Sequence, residues 1–364
     1  MQAGNKWNDQ KPMTGIKVLD LSGVLAGPLT GSFMAELGAD VIKIENKLSG
    51  GDATRQWKLP SEDQKDPYSA YYHSANYGKK VLLLDLSNPY DYKIAENHLA
   101  SSDIVISNFQ KKTAQKLGFL PNEIVKKYPK IIFAQLSAYD FDDPRPGYDL
   151  VMQGETGWIS MNGMDTNNVA KLPVAIVDIL ASHQLKEGIL LALWKKSLYN
   201  VGTIVHVSLY KSSISALANQ ATNFLNAGHV AKPIGTLHPN IAPYGDIFKS
   251  SDNITFMLAV GSDLQFKKLW FTLINEVPEY SNFEFNTDRV KNRSTLNEIL
   301  QQQFLRLNFS ELEEIIISIQ VPYCKILSID EVFSGEMAQK MILPIETENG
   351  KAYSISNIAF ELSE

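Results

Sequence analysis

Lys17-Val18-Leu19-Asp20-Leu21 is a short apolar run that halts at Ser22-Gly23-Val24-Leu25-Ala26-Gly27-Pro28; Leu29–Leu37 and Gly38 then lead into Val41-Ile42-Lys43-Ile44. Both flanking runs have strand character, the second being dense in β-branched residues. Leu29–Leu37 has helical composition, and Gly38 stands where a helix C-terminus favours glycine. Two strands joined by a helix form a parallel βαβ unit. The same alternation recurs further along the chain, so this stretch decides the fold class.

Val81–Leu86 reads as a strand, Asp91–Ala100 as a helix and Ile104-Val105-Ile106 as a strand. Lys111–Lys127 reads as two helical pieces around Gly118 and Pro121. Further strands are expected at Ile131–Leu136, Val174–Val177 and Thr203–Leu209, with a long helix at Ile179–Lys195. This alternation predicts an α/β fold built on a doubly wound parallel sheet. After about Leu225 the texture changes. Gly245–Lys249 and Ile254–Val260 flank Ser251-Asp252-Asn253, a hairpin signal. Ser-x-x-Glu capping boxes at Ser310/Glu313 and Ser328/Glu331 announce helices. The expected organisation is a large domain over residues 1–225, a smaller α+β domain over 226–340, and a tail, 341–364. The strand-like stretch Ala352–Phe360 of that tail is expected to return to the large domain.

The chain has 364 residues, 44% of them hydrophobic and 20% charged, enough for a sizeable core and two domains. A net charge of -6 gives no electrostatic footprint for nucleic acid. Cys324 is the sole cysteine, which excludes an intramolecular disulfide and a thiolate metal cluster. Met1–Pro12 lacks the apolar core of a secretory signal, and no run reaches the ~18 apolar residues of a membrane helix. These features predict a soluble, cytoplasmic protein that binds neither nucleic acid nor membrane.

In open parallel sheets ligands bind beyond the carboxyl ends of the strands, so the loops there hold the candidates. Ser22–Pro28 has glycines four apart rather than the G-x-G-x-x-G spacing of a dinucleotide fingerprint; it reads as a phosphate loop or as a tight turn. Glu45 ends the second strand, as a ribose acceptor or a solvated strand end. Lys43, Lys47, Arg55, Lys79, Lys80, Lys111, Lys112 and Lys116 cluster around three of these loops and are candidates to face a polyphosphate. Asp178 follows four apolar residues and precedes an apolar helix. Near the unpaired N–H groups of that helix, a carboxylate is expected to stay ionised as a nucleophile, or simply to cap the helix. The six histidines share no metal-ligand spacing, and neither G-x-S-x-G nor G-x-x-x-x-G-K-[ST] occurs.

The order of motifs carries a resemblance. Gly15–Ser22, Ala26-Gly27-Pro28 and Leu37–Glu45 closely resemble the opening of the class III CoA-transferases, the family of formyl-CoA transferase and carnitine CoA-transferase. The likeness continues through Gly51-Asp52, Arg55, Lys80–Asp85, Asn108-Phe109, Gly147-Tyr148-Asp149 and Gln153. It runs on through Asp178 with Gly188-Ile189-Leu190, Ile241–Tyr244 and Asn292-Arg293, covering nearly the whole chain.

That resemblance implies a Rossmann-like large domain and an interlocked homodimer. It implies transfer of coenzyme A from an acyl-CoA thioester to a carboxylic acid, with CoA a substrate rather than a resident cofactor. By the same resemblance Asp178 is the nucleophile, passing through an aspartyl anhydride and an aspartyl-CoA thioester, and Asp149 is a second carboxylate of the site. Val24-Leu25-Ala26 resembles the family's CoA-binding turn. Leu84, Asn108, Phe109 and Lys116 match further CoA contacts, as do Asn46 and Tyr148 by position. Asn46 replaces a residue that is often basic, and Lys111-Lys112 stand where Pro-Gly is usual. Gly235–Asn240 falls where relatives place a mobile glycine-rich loop over the thioester, but has one glycine. The alternatives are a 2-methylacyl-CoA racemase and an inactive CoA-binding protein. Racemases of this fold carry histidine at the position of Tyr148, and a phenol is a poor base near neutrality.

Overall fold

The structure, a computed structural model, describes residues 11–274, 280–347 and 350–362. The chain forms two compact units. The first contains the chain up to Trp158, Leu172–His229 and the residues from Met337 onward; the second contains Ile159–Lys171 and Val230–Glu336. The expected boundaries after 225 and 340 thus move to 229 and 336. The excursion Ile159–Lys171 was not foreseen, because nothing in its composition separates it from its neighbours.

The first unit is built on six parallel strands: β1 Lys17–Asp20, β2 Asp40–Asn46, β3 Lys80–Leu84, β4 Ile104–Ser107, β5 Ile132–Ser137 and β6 Thr203–Ser208, in the order β3-β2-β1-β4-β5-β6. The strand order reverses between β1 and β4, where a doubly wound sheet opens its ligand crevice. Successive residues face opposite sides. Val18, Ile104, Ile106, Ile132 and Ala134 join one apolar cluster, while Leu19, Val105 and Phe133 join another. A central strand apolar on both faces is what a sheet covered by helices on both sides requires. Helix α1, Ala26–Glu36, and a long helix, Ile176–Tyr199, supply Phe33, Met34, Val177 and Leu185 to the first cluster.

The expected strand Val174–Val177 does not form. Ala175 is the N-cap of the long helix and Ile176 its first residue, so these β-branched residues begin a helix behind Pro173. Asp178 accordingly lies inside the first helical turn and is not the cap. Glycine is needed at two places nearby. Gly38 ends α1 with φ +100°, and a Cβ on Gly27 would collide with the Ser22 side chain.

From the C-terminal part of the same unit, Ile342–Thr347 and Gly350–Ile355 form an antiparallel pair. Beyond it Ser356 Oγ, and Asn357 through its backbone N–H and its Nδ2, donate to the Glu36 carboxylate at the end of α1, at 2.7–3.0 Å. Strand structure stops at Ile355 rather than running to Phe360.

The second unit carries a three-stranded antiparallel sheet, β7 Tyr244–Lys249, β8 Thr255–Ala259 and β9 Tyr323–Lys325. Phe248, Phe256, Phe304 and Trp270 form its core with the surrounding helices. The hairpin turn is where its sequence signal lay, with Asn253 at φ +63°. Ser328/Glu331 forms a capping box as expected; the other is Asn308/Glu311 rather than Ser310/Glu313. Asn308 precedes the buried Phe309, whose burial sets where that helix starts.

Candidate active site

Two adjoining cavities open at the carboxyl ends of the strands of the first unit. One, of about 250 Å³, is lined by Val24, Leu25, Ala26, Asn108, Phe109, Tyr148 and Asp178 among others. The second, of about 470 Å³, is lined by Val24, Asn46, Leu84, Asn108, Phe109 and Lys116. Gly23, Val24, Asn108 and Phe109 belong to both walls, so the pair reads as one two-lobed groove across the switch point. Of the site residues that the resemblance implies, Asp149 alone is absent from these described walls, and of the eight basic candidates Lys116 alone lines them.

The turn after β1 is held from beneath. Asn108 clamps Gly23 both ways, its Oδ1 accepting from the Gly23 N–H at 3.1 Å and its Nδ2 donating to the Gly23 carbonyl at 3.0 Å. Val24 takes φ +72°, a conformation costly for a β-branched residue, and its N–H donates to Asp52 Oδ2 at 3.2 Å. Asp52 is anchored by buried Lys43 at 2.7 Å and caps the short turn that follows it through the Thr54 N–H. Asp20 receives buried Lys79 at 2.9 Å and the Ser22 hydroxyl at 2.5 Å. Glu45 receives Arg55 Nε and the Tyr72 hydroxyl, each at 2.7 Å. Burial alone would raise the carboxyls of Asp20 and Asp52; the lysines beside them outweigh it and hold both below the usual carboxylate range.

These bonds correct several expectations. Lys43, Arg55 and Lys79 face carboxylates of their own chain, not a ligand, and Lys111 pairs with Asp142 at 2.6 Å. Glu45 accepts from Arg55, Tyr72 and the Asp52 N–H, which commits three of the about four acceptor positions of its carboxylate to its own chain. Lys116 lines the groove as an exposed side chain. None of the six histidines lines either lobe, and among the described residues no group of His, Cys, Asp and Glu could hold a metal ion. Nor is any described helix long and apolar enough to cross a membrane.

Asp178 is 7% exposed. The helix N–H groups expected to keep it ionised are taken by its neighbour. Asp149 Oδ1 accepts from the N–H of Val177 at 2.7 Å and of Asp178 at 3.4 Å, while Gln153 Nε2 donates to Asp149 Oδ2 at 2.6 Å. No hydrogen bond reaches the Asp178 carboxyl among the described residues. Burial first, and the Asp149 charge second, push Asp178 up to about 7. Near neutral pH such a carboxyl is partly ionised and, when ionised, more basic than an ordinary aspartate.

Two residues here escaped sequence reasoning. Tyr71 is pushed up to about 12 by burial and by Asp178, Asp149 and Asp52, which puts its phenol in the field of the same carboxylates; its ring packs edge-on against Trp57 at 5.1 Å. Arg145 lines the Asp178 lobe. Neither stands at a strand end, the only positional signal the sequence offered. In the second unit, Gly235–Asn240 is tied down locally. Gly235 N–H donates to the Gly163 carbonyl, Thr236 Oγ1 to the Gly245 carbonyl, and Arg293 Nη2 to the His238 carbonyl.

Comparison with known proteins identifies the family. A succinate–glutarate CoA-transferase of Agrobacterium fabrum is 32% identical over 348 residues, 94% of this chain and 86% of that protein. The human succinyl-CoA:glutarate CoA-transferase is 30% identical over 353 residues, 96% of this chain and 79% of that one. The crystal structure of a CAIB/BAIF family protein from Brucella suis superimposes with a TM-score of 0.82 at 30% identity, covering 96% of this chain and 93% of that one. The model of CoA-transferase family III matches residues 13–364. The chain therefore belongs to the class III CoA-transferases.

Proposed function

We propose that this enzyme moves coenzyme A between two carboxylic acids, with Asp178 as the covalent nucleophile. The observation that carries the reading is a buried carboxyl, pushed up to about 7, on the wall of a groove at the switch point of the sheet. An Asp178 oxygen attacks the carbonyl carbon of the donor thioester; the carbon–sulfur bond breaks and CoA leaves as thiolate. The thiolate attacks the aspartyl carbonyl of the anhydride, releasing the donor acid and leaving an aspartyl-CoA thioester. The acceptor carboxylate then runs both steps in reverse and regenerates the Asp178 carboxylate. Covalent catalysis divides a hard exchange into easier steps. A carboxyl titrating near 7 combines useful ionisation with enhanced nucleophilicity at neutral pH.

In this reading the thioester lies against Val24, Leu25, Ala26, Tyr148 and Asp178. The pantetheine arm passes Asn108 and Phe109, and the adenosine end lies along Leu84, Asn46 and Lys116. Asp149 positions the nucleophile by taking its helix N–H groups. The activities for which the two relatives are named support dicarboxylic acids as the acid class. We further propose a homodimer. It is supported by the apolar outer face of the long helix, where Leu191, Trp194, Leu198 and Tyr199 are each 59% exposed or more. Cytoplasmic residence belongs to the same proposal and suits a chain with one free cysteine.

The test is turnover with a panel of acyl-CoA donors and acid acceptors, with hydroxylamine added during turnover. Transfer with inactivation and a hydroxamate on Asp178, located by peptide mass spectrometry, is the expected result. An adduct elsewhere removes Asp178 from the role. α-Deuteration of a 2-methylacyl-CoA in deuterated water favours a racemase, and CoA binding with no turnover favours an inactive binding protein.

A further inference from the structure

The Asp178 lobe has one cationic side chain among the described residues that line it, Arg145. Its guanidinium carbon lies 3.7 Å from the centroid of the Tyr139 ring, so the fork is stacked on that ring. Tyr139 is itself buried and fixed by its hydroxyl, which donates to Glu155 at 2.9 Å. The fork already grips a carboxylate of its own chain. Arg145 Nε reaches both oxygens of Asp143 at 3.1 Å, and Nη2 reaches Oδ2 at 2.7 Å. Nη1 has no acceptor among the described residues. Asp143 lines the same lobe, as do Leu136, Phe141 and Leu209, which offer an apolar wall.

We infer that Arg145 receives the far carboxylate of a dicarboxylic acyl group whose thioester carbonyl lies at Asp178, with Asp143 holding that place when no such group is bound. The inference rests on the transferase reading above and adds the residue that selects the acid. The chemistry matches in three respects. A planar fork pairs bidentately with a carboxylate, the apolar wall suits a methylene chain, and a lobe with one cation accepts one distal charge. The exchange is cheap because the Arg145–Asp143 pair is solvent-accessible, with side chains 58% and 25% exposed, and exposed pairs contribute little. A monocarboxylic chain of equal length leaves Arg145 on Asp143 and gains nothing from it. A merely solvated ion pair would sit equally well anywhere on the surface and would not alter which donor is chosen.

The test compares succinyl-CoA with butyryl-CoA, which have four-carbon acyl groups and differ in the terminal carboxylate. Hydroxylamine trapping with donor alone isolates the first half-reaction of the full-length protein, and thermal unfolding verifies that each variant is folded. The wild type is expected to favour succinyl-CoA in kcat/KM. Arg145→Met should lower the succinyl-to-butyryl ratio by about 10- to 100-fold, the worth of a charge-assisted contact. Asp143→Asn should move the ratio the opposite way, by up to about fivefold, because it removes the competing carboxylate. Equal losses on both donors, or an unchanged ratio in both variants, overturn the inference and leave the transferase reading standing. Failure of the wild type to trap either donor, or any other acyl-CoA, overturns the transferase reading and the inference with it.

Discussion

Two groups of buried carboxylates stand at the same end of one sheet, and their chemistry runs in opposite directions. Asp20, Glu45 and Asp52 each meet a basic side chain, at 2.9, 2.7 and 2.7 Å. Asp149 and Asp178 have no cation within salt-bridge distance among the described residues. Asp149 spends its oxygens on helix N–H groups and Gln153, which leaves Asp178 with burial and a like charge. Asp20 and Asp52 are held below the usual carboxylate range, whereas Asp178 is raised to about 7. Burial is common to both groups. The presence of a cation decides whether a carboxylate becomes a strut under the Val24 turn or a group poised to titrate at neutral pH.

The sharpest way to break this comparison is Asp178→Asn. It keeps size and shape, and should lower CoA transfer at least about 1,000-fold while the protein stays folded; steady-state assay with circular dichroism decides. Normal turnover would falsify the contrast.

Lys43→Met tests the other group. It strands the Asp52 carboxylate in the interior and should cost about 3–5 kcal/mol, measured by denaturant unfolding, because a lone buried charge is left behind. A loss below about 1 kcal/mol would mean that the strut is not held by charge.

A pH series separates the groups by sign. The folded Asp178 carboxyl titrates at about 7 against 3.8 as its ordinary value. The native state therefore holds an extra proton between those values, and the stability this gives is lost as pH rises through about 7. The full difference is of order 4 kcal/mol. Asp20 and Asp52 act oppositely, since their stabilisation is present above 3.8 and disappears as pH falls through their lower folded values. The stability advantage of wild type over Asp178→Asn should thus shrink as pH rises from about 4 to about 7, with titrations common to both proteins cancelling in the difference; parallel curves in urea unfolding would refute it.

The smallest effect is expected at Lys116, the exposed lysine of the outer lobe. Lys116→Ala should weaken CoA binding by about 1.5–3 kcal/mol in calorimetric titration without altering the melting temperature. Unchanged affinity would return this lysine to the solvated surface.

Much of the sheet was legible because parallel strands buried on both faces are written as apolar runs such as Ile104-Val105-Ile106 and Ile132–Leu136. The failure at Val174–Val177 has a local cause: four apolar residues in a row suit a strand and a buried first helical turn equally. Lys43 groups in sequence with the lysines around the loops although it lies within the expected strand Val41–Ile44; between Ile42 and Ile44, inside a covered sheet, it had to point into protein. The partners that set the Asp178 chemistry were not readable, since Asp149 reaches Val177 and Asp178 from 28 and 29 residues away. Arg145 became visible only once the loops after β4 and β5 were seen to enclose one space.

The bonds from Ser356 and Asn357 to Glu36 have a consequence for how the protein is made. The first unit is not finished when its sheet has been translated, because its closing segment lies beyond the whole second unit. At ordinary ribosome speeds the chain waits roughly 5–20 s between emergence of His229 and of Met337. Throughout that interval the end of α1 lacks its clasp, with Glu36 left to water and the Phe33 edge that later meets Phe360 still open. The nascent chain passes through a stage at which a complete but incompletely covered sheet domain offers unfinished surface, the stage at which chaperone capture or misassociation competes with completion.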